Sequence, residues 1–170
     1  ELLPQVRGTD GARALDGLAG ELDNLRVIHE RFTERRPRYA IDAALALDPV
    51  LAARGPFDLQ LEILDAAVAA AARMKGELQV PVRLARAEAL MNRGRFTEAA
   101  EAIAEASEGL IGGASEGVRT WLSAVNGWVL TRLGQPRDGL PGLADAAEAA
   151  ATLSHPHAAV ARYRLARARL

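Results

Sequence analysis

The chain has 170 residues, 21 basic and 22 acidic side chains and no cysteine, which suits one domain with a substantial buried core and excludes disulfides and thiolate metal sites. The formal charge of -1 removes the cationic excess that a dedicated nucleic-acid surface needs to displace counterions from phosphates. Ala (36) and Leu (24) supply about a third of the chain while only seven residues are aromatic, so helices must dominate.

Apolar spacing at three and four residues predicts eight helices, over about 12–35, 38–53, 57–74, 78–93, 96–110, 116–133, 136–152 and 156–170. In the second, Pro49 falls inside the pattern and is expected to kink or interrupt it, because proline removes a backbone donor and crowds the preceding turn. The third holds the longest purely apolar run, Ala66 to Ala72. Its seven residues fall far short of the roughly 20 that span a bilayer, and with no apolar leader at the start a cytoplasmic protein is expected. The fifth is the best formed. Phe96, Ala99, Ala100, Ile103, Ala106 and Leu110 draw one apolar stripe, and Glu98, Glu101, Glu105 and Glu108 fall opposite it. Gly109, Gly112 and Gly113 mark the longest connection, Ser115 and Ser154 suit N-caps, and Pro136 and Pro156 suit first turns, where no N–H is needed.

The helices repeat in pairs. Gly55, Gly94 and Gly134 each close one helical stretch and precede another, at separations of 39 and 40 residues. A leucine stands four positions before each of them, at Leu51, Leu90 and Leu130, and Ala87 and Gly127 stand seven before the second and third. Glycine ends a helix well because it takes left-handed dihedrals without a β-carbon penalty, and small residues let paired helices approach closely. The implied units are 38–74, 78–110 and 116–152, preceded by the helix 12–35 and followed by a truncated unit at 156–170. One such hairpin cannot bury both faces of its stripe, so neighbours are expected to stack into a solenoid. The chain opens at Glu1 and stops at Leu170 inside a helical pattern, so a piece of something longer is expected.

The spacing Leu90, Gly94, Phe96, Ala99, Ile103 and Ala106 resembles the tetratricopeptide repeat. That resemblance implies an all-α fold of antiparallel helix hairpins in a right-handed superhelix with a concave groove. The period here is longer than that family's usual 34, which implies extended loops. The segment Glu21-Leu22-Asp23-Asn24-Leu25-Arg26, followed by Ala-rich helices and the Arg54-Gly55 turn, looks like the junction in large bacterial STAND-type regulators. There a P-loop ATPase and a winged-helix region precede a helical array, and similar arrays follow bacterial Ser/Thr kinase domains and nucleotide cyclases. The implied role is a sensory or scaffolding module of a signalling or transcriptional protein. Nothing in this chain matches GxxxxGK[ST].

Chemistry-bearing constellations are sparse. His155 and His157 flank Pro156 and His29 is the only other histidine, so no metal site is expected, since zinc needs three or four converging ligands. The four glutamates of 96–110 share one solvated face, whereas catalytic carboxylates need unlike surroundings. With no GxSxG elbow and no glycine-rich phosphate loop, neither an enzyme nor a cofactor is expected. Arg162, Arg164, Arg167 and Arg169 read as awaiting acids on a following helix, and the bias of 20 Arg against Lys75 alone reads as genome composition.

Trp121 and Trp128 lie seven residues apart on one helix face. In the register set by Gly134 they face the groove with Arg132 and, from the preceding unit, Leu84, Glu88 and Met91. These six are the candidate partner contacts. The expected function is a binding module for a protein, a peptide or another domain of the same chain, without direct nucleic acid or membrane contact. The alternative is an architectural spacer that positions or oligomerises flanking domains, and Val160, Tyr163, Leu165 and Leu170 suggest association through the last helix. Far-ultraviolet circular dichroism is expected to give a predominantly helical spectrum, and appreciable strand content overturns the repeat.

Overall fold

The stripes of Ala and Leu coil into α-helices wherever they can be buried, and turns fall where glycine or proline interrupts them. A computed structural model describes residues 11–74, 78–112 and 115–152, together with residue 168. Among them are eight α-helices: α1 (Gly11–Gly20), α2 (Leu22–Phe32), α3 (Pro37–Arg54), α4 (Phe57–Ala72), α5 (Gln79–Asn92), α6 (Phe96–Glu108), α7 (Glu116–Arg132) and α8 (Pro136–Thr152). A short 3-10 turn, Gly109–Gly112, follows α6, and no strand occurs among the described residues. No described helix is long and apolar enough to cross a membrane. The segment 153–167, which carries His155, His157, Arg162, Arg164, Arg167 and most of the expected eighth helix, lies outside the described residues, as do Arg169 and Leu170.

Two boundaries differ from the expectation. The single helix at 12–35 is two helices, because Gly17 and Gly20 weaken the pattern and the Glu21 N–H bonds the Leu18 carbonyl in a tighter turn. Pro49 does not interrupt α3. Ile41, Ala44, Leu47, Val50 and Leu51 are buried on either side of it, so packing holds the helix across the missing hydrogen bond. Elsewhere α3 to α8 begin and end within about two residues of their predicted limits.

The three repeat glycines all take left-handed dihedrals, with φ of 72° at Gly55, 74° at Gly94 and 82° at Gly134. At the ends of α5 and α7 the caps are identical: Gly94 N–H bonds Met91 O and Arg95 N–H bonds Leu90 O, while Gly134 N–H bonds Thr131 O and Gln135 N–H bonds Leu130 O. This is the Schellman arrangement, in which two otherwise orphaned carbonyls gain donors. Pro56 follows Gly55 and has no N–H to give, so α3 closes with the single bond from Gly55 N–H to Leu51 O at 2.8 Å. The three leucines of the sequence period are thus the carbonyls that receive the reversing chain.

Packing proceeds by neighbours. α3 packs on α4, α5 on α6 and α7 on α8, with further contacts of α4 with α5, α6 with α7, and α5 with both α3 and α7. α5 is therefore enclosed by four helices, and nine of its fourteen residues are buried. The core includes Ile41, Leu47, Leu51, Leu64, Leu84, Leu90, Val125 and Val129. Each such side chain contributes about 1.5–3 kcal/mol relative to exposure. α1 and α2 lie against α3, tied by the Arg54–Asp16 ion pair and by His29, buried on α2, whose Nδ1 stands 3.0 Å from the Ala40 carbonyl. Because a carbonyl only accepts, the ring proton of that bond sits on Nδ1.

α7 and α8 approach backbone to backbone at two glycines. A Cβ added to Gly127 would stand 2.6 Å from Gly139 O and 2.8 Å from Leu143 Cγ, and one added to Gly139 would stand 2.4 Å from Gly127 O. Ser123 Oγ adds a hydrogen bond to Gly142 O at 3.0 Å. Gly127→Ala is expected to lower stability by about 1–3 kcal/mol in thermal melts, although helix propensity alone favours Ala by about 1 kcal/mol. A stabilised variant would show that the two helices are not in this contact.

Candidate functional site

A cleft of about 360 Å³ opens where the end of α3, the start of α4 and the end of α5 meet, lined by Ala52, Phe57, Gln60, Ala89, Asn92 and Arg93. Local sequence builds each wall. The Gly55–Pro56 reversal sets Phe57 at the first position of α4, where it is 51 % exposed. One turn on, Gln60 is buried and its amide donates to Asp48 Oδ1 at 2.7 Å, which fixes a polar group in the floor. Arg93, just past α5, reaches back to Asp58 Oδ1 at 2.7 Å and forms the rim with Asn92. Such a cleft suits an apolar side chain flanked by polar backbone, and none of its six lining residues is a nucleophile or a histidine.

The repeat explains why this cleft is open. Phe57 and Phe96 both stand two residues after a repeat glycine, and Asn92 and Arg132 both stand two residues before one. In the later pair, the Arg132 guanidinium lies 5.1 Å from the centre of the Phe96 ring and 5.9 Å from that of Trp128. Phe96 is half-buried beneath it. In the earlier pair the position of Arg132 is taken by the shorter, uncharged Asn92, and Phe57 and Asn92 both line the cleft.

The six residues expected in the groove differ in exposure. Leu84, Glu88 and Met91 are buried in α5, around which α3, α4, α6 and α7 pack. Trp121 and Trp128 are half-buried against the main core, and Arg132 is exposed. The structure joins Arg132 to Trp128, and adds Phe96, which sequence reasoning had assigned to packing alone. Phe57, Asn92 and Arg93 were missed as a site, although the offsets from Gly55 and Gly94 would have aligned them with Phe96 and Arg132.

Two glutamates of the α6 stripe meet arginines. Glu98 accepts hydrogen bonds from Arg95, which hold its carboxyl below the usual carboxylate range, and Glu105 lies 3.6 Å from Arg83. Glu101 and Glu108 are exposed. Among the described residues no three His, Cys, Asp or Glu side chains cluster as metal ligands.

Comparison with known proteins finds no matching family, no matching curated protein and no matching solved structure. Arg132→Ala is expected to uncover Phe96 and Trp128, shift tryptophan emission to the red and lower stability by about 0.5–1 kcal/mol. Unchanged emission and stability would place the guanidinium away from both rings.

Proposed function

We propose that this chain is a tetratricopeptide-like repeat module that binds a protein or peptide segment, supplied by a partner or by another domain of its own chain, within a bacterial signalling or transcriptional regulator. Units 38–74, 78–110 and 116–152 form antiparallel hairpins stacked in a right-handed superhelix. Support for the stacking comes from the recurring left-handed glycines and from two ion pairs that join α4 to α5 and to Arg93 just past it. Arg93 meets Asp58 and Arg86 meets Asp65, so a step of seven residues up one helix is a step of seven down the other.

The observation that carries the binding role is the cleft with its exposed Phe57 between the polar Gln60 and Asn92. A phenylalanine left half in water at the mouth of a cleft is the kind of anchor that a partner desolvates. The spacer reading draws on a different observation, that the chain's own side chains bury Leu84, Glu88 and Met91.

A peptide selected from a random displayed library, then synthesised and titrated by fluorescence anisotropy, separates the two. Binding is expected to weaken about tenfold or more in Phe57→Ala and in Asn92→Arg, with thermal midpoints nearly unchanged. No enriched peptide, or one indifferent to both substitutions, supports the spacer.

A further inference from the structure

The corner between α2 and α3 concentrates charge in a way that the whole chain does not. Residues 31–38 contain four arginines and one glutamate, a local charge of +3 in a chain whose formal charge is -1, leaving -4 for the remainder. Arg38 is drawn toward Asp42 at 3.9 Å, but among the described residues no ion pair engages Arg31, Arg35 or Arg36. All three are exposed.

Apolar surface lies among these cations. Val27 is 51 % and Tyr39 53 % exposed, and Ile28 is exposed as well. Ile28 and Phe32 are one helical turn apart on α2, and the Phe32 ring centre is 5.9 Å from that of Tyr39, so the strip continues from α2 onto α3. Arg36 lies 5.9 Å from the Tyr39 ring centre, over its face. His29 beneath, bonded to Ala40 O, and Arg73 just past α4, bonded to Thr33 O at 2.8 Å, tie this corner to the body. The patch is therefore held in shape while exposed.

We infer that this corner is a docking surface for a short acidic segment of a partner protein whose carboxylates meet Arg31, Arg35 and Arg36 and whose apolar side chains cover Val27, Ile28 and Tyr39. Charge complementarity sets the sign of the partner. Its length is set by the surroundings: fields are screened within about 8 Å at physiological salt, and the acidic remainder of the surface repels a long polyanion running past the corner. Two of the three apolar side chains are aliphatic and offer no stacking face to a base, which disfavours nucleic acid as the occupant. The inference does not depend on the cleft at Phe57, which lies at the other end of α3.

The test titrates the whole chain with a fluorescein-labelled synthetic peptide that alternates Glu with Leu and Phe. The controls are oligoglutamate, oligothymidylate and vesicles containing phosphatidylserine. The alternating peptide is expected to bind most tightly, to weaken steadily with added salt, and to lose about tenfold or more in affinity for Arg31→Glu/Arg35→Glu, whose circular dichroism stays unchanged because both positions are exposed. Tyr39→Ala is expected to weaken the alternating peptide more than oligoglutamate. Absent binding, binding indifferent to the double substitution, or tighter binding of oligothymidylate or vesicles each overturns the proposal. Self-association abolished by the double substitution also overturns it, by showing that a second copy covers the corner.

Discussion

The reversal of the chain at Gly55, Gly94 and Gly134 is the constraint on which the remaining contacts depend. A helix that ends leaves carbonyls without donors, and at α5 and α7 a left-handed glycine turns the next two N–H groups back onto them. A residue with a β-carbon at that dihedral costs about 1–2 kcal/mol, so the turn sites are chosen by the backbone before any side chain packs. Once the turns are placed, the following phenylalanine at Phe57 or Phe96 is delivered to the junction between one helix pair and the next. Turn chemistry thereby fixes the position of the candidate cleft.

What fills each junction is then a matter of side-chain length. Between α6 and α7 a guanidinium reaches over Phe96, and between α4 and α5 an amide does not reach over Phe57. Between α7 and α8 two glycines withdraw the side chain at the crossing, so that Gly127 meets the Gly139 backbone with Leu143 packed beside them. One architecture thus yields a covered junction, an open one and a close-packed one from substitutions at few positions. An open junction suits recognition because its apolar surface is reachable before a partner arrives, whereas the other two contribute to cohesion.

Much of this arrangement is legible in the residues. Helices α3 to α8 follow from apolar stripes such as Phe96–Ala99–Ile103–Ala106, and Gly127 is readable as a close-approach position from its match with Ala87. The break at Glu21 was not legible, because Leu18, Leu22 and Leu25 keep helical spacing across it and only the weak preference of Gly20 argues otherwise. Pro49 misleads in the opposite sense, since local propensity yields to the burial of Val50 and Leu51. The burial of Leu84, Glu88 and Met91 was not legible either, because exposure depends on how many helices surround α5, a quantity that no window of sequence contains. The arginine corner was hidden by averaging, because a neutral total conceals a strongly charged eight-residue stretch.

Among the described residues every substantial helix contact joins first or second neighbours along the chain. Few long loops therefore have to close before packing begins, and the entropy of ordering can be met one hairpin at a time. The helices then differ in how many partners must be released before they open: α1 leans on α2 and α3, whereas α5 is held from four sides. The arginine corner lies where α2 meets α3, anchored by His29 and Arg73, and the Phe57 cleft borders α5. Both surfaces are held from beneath, so a segment arriving at either must fit what is already there.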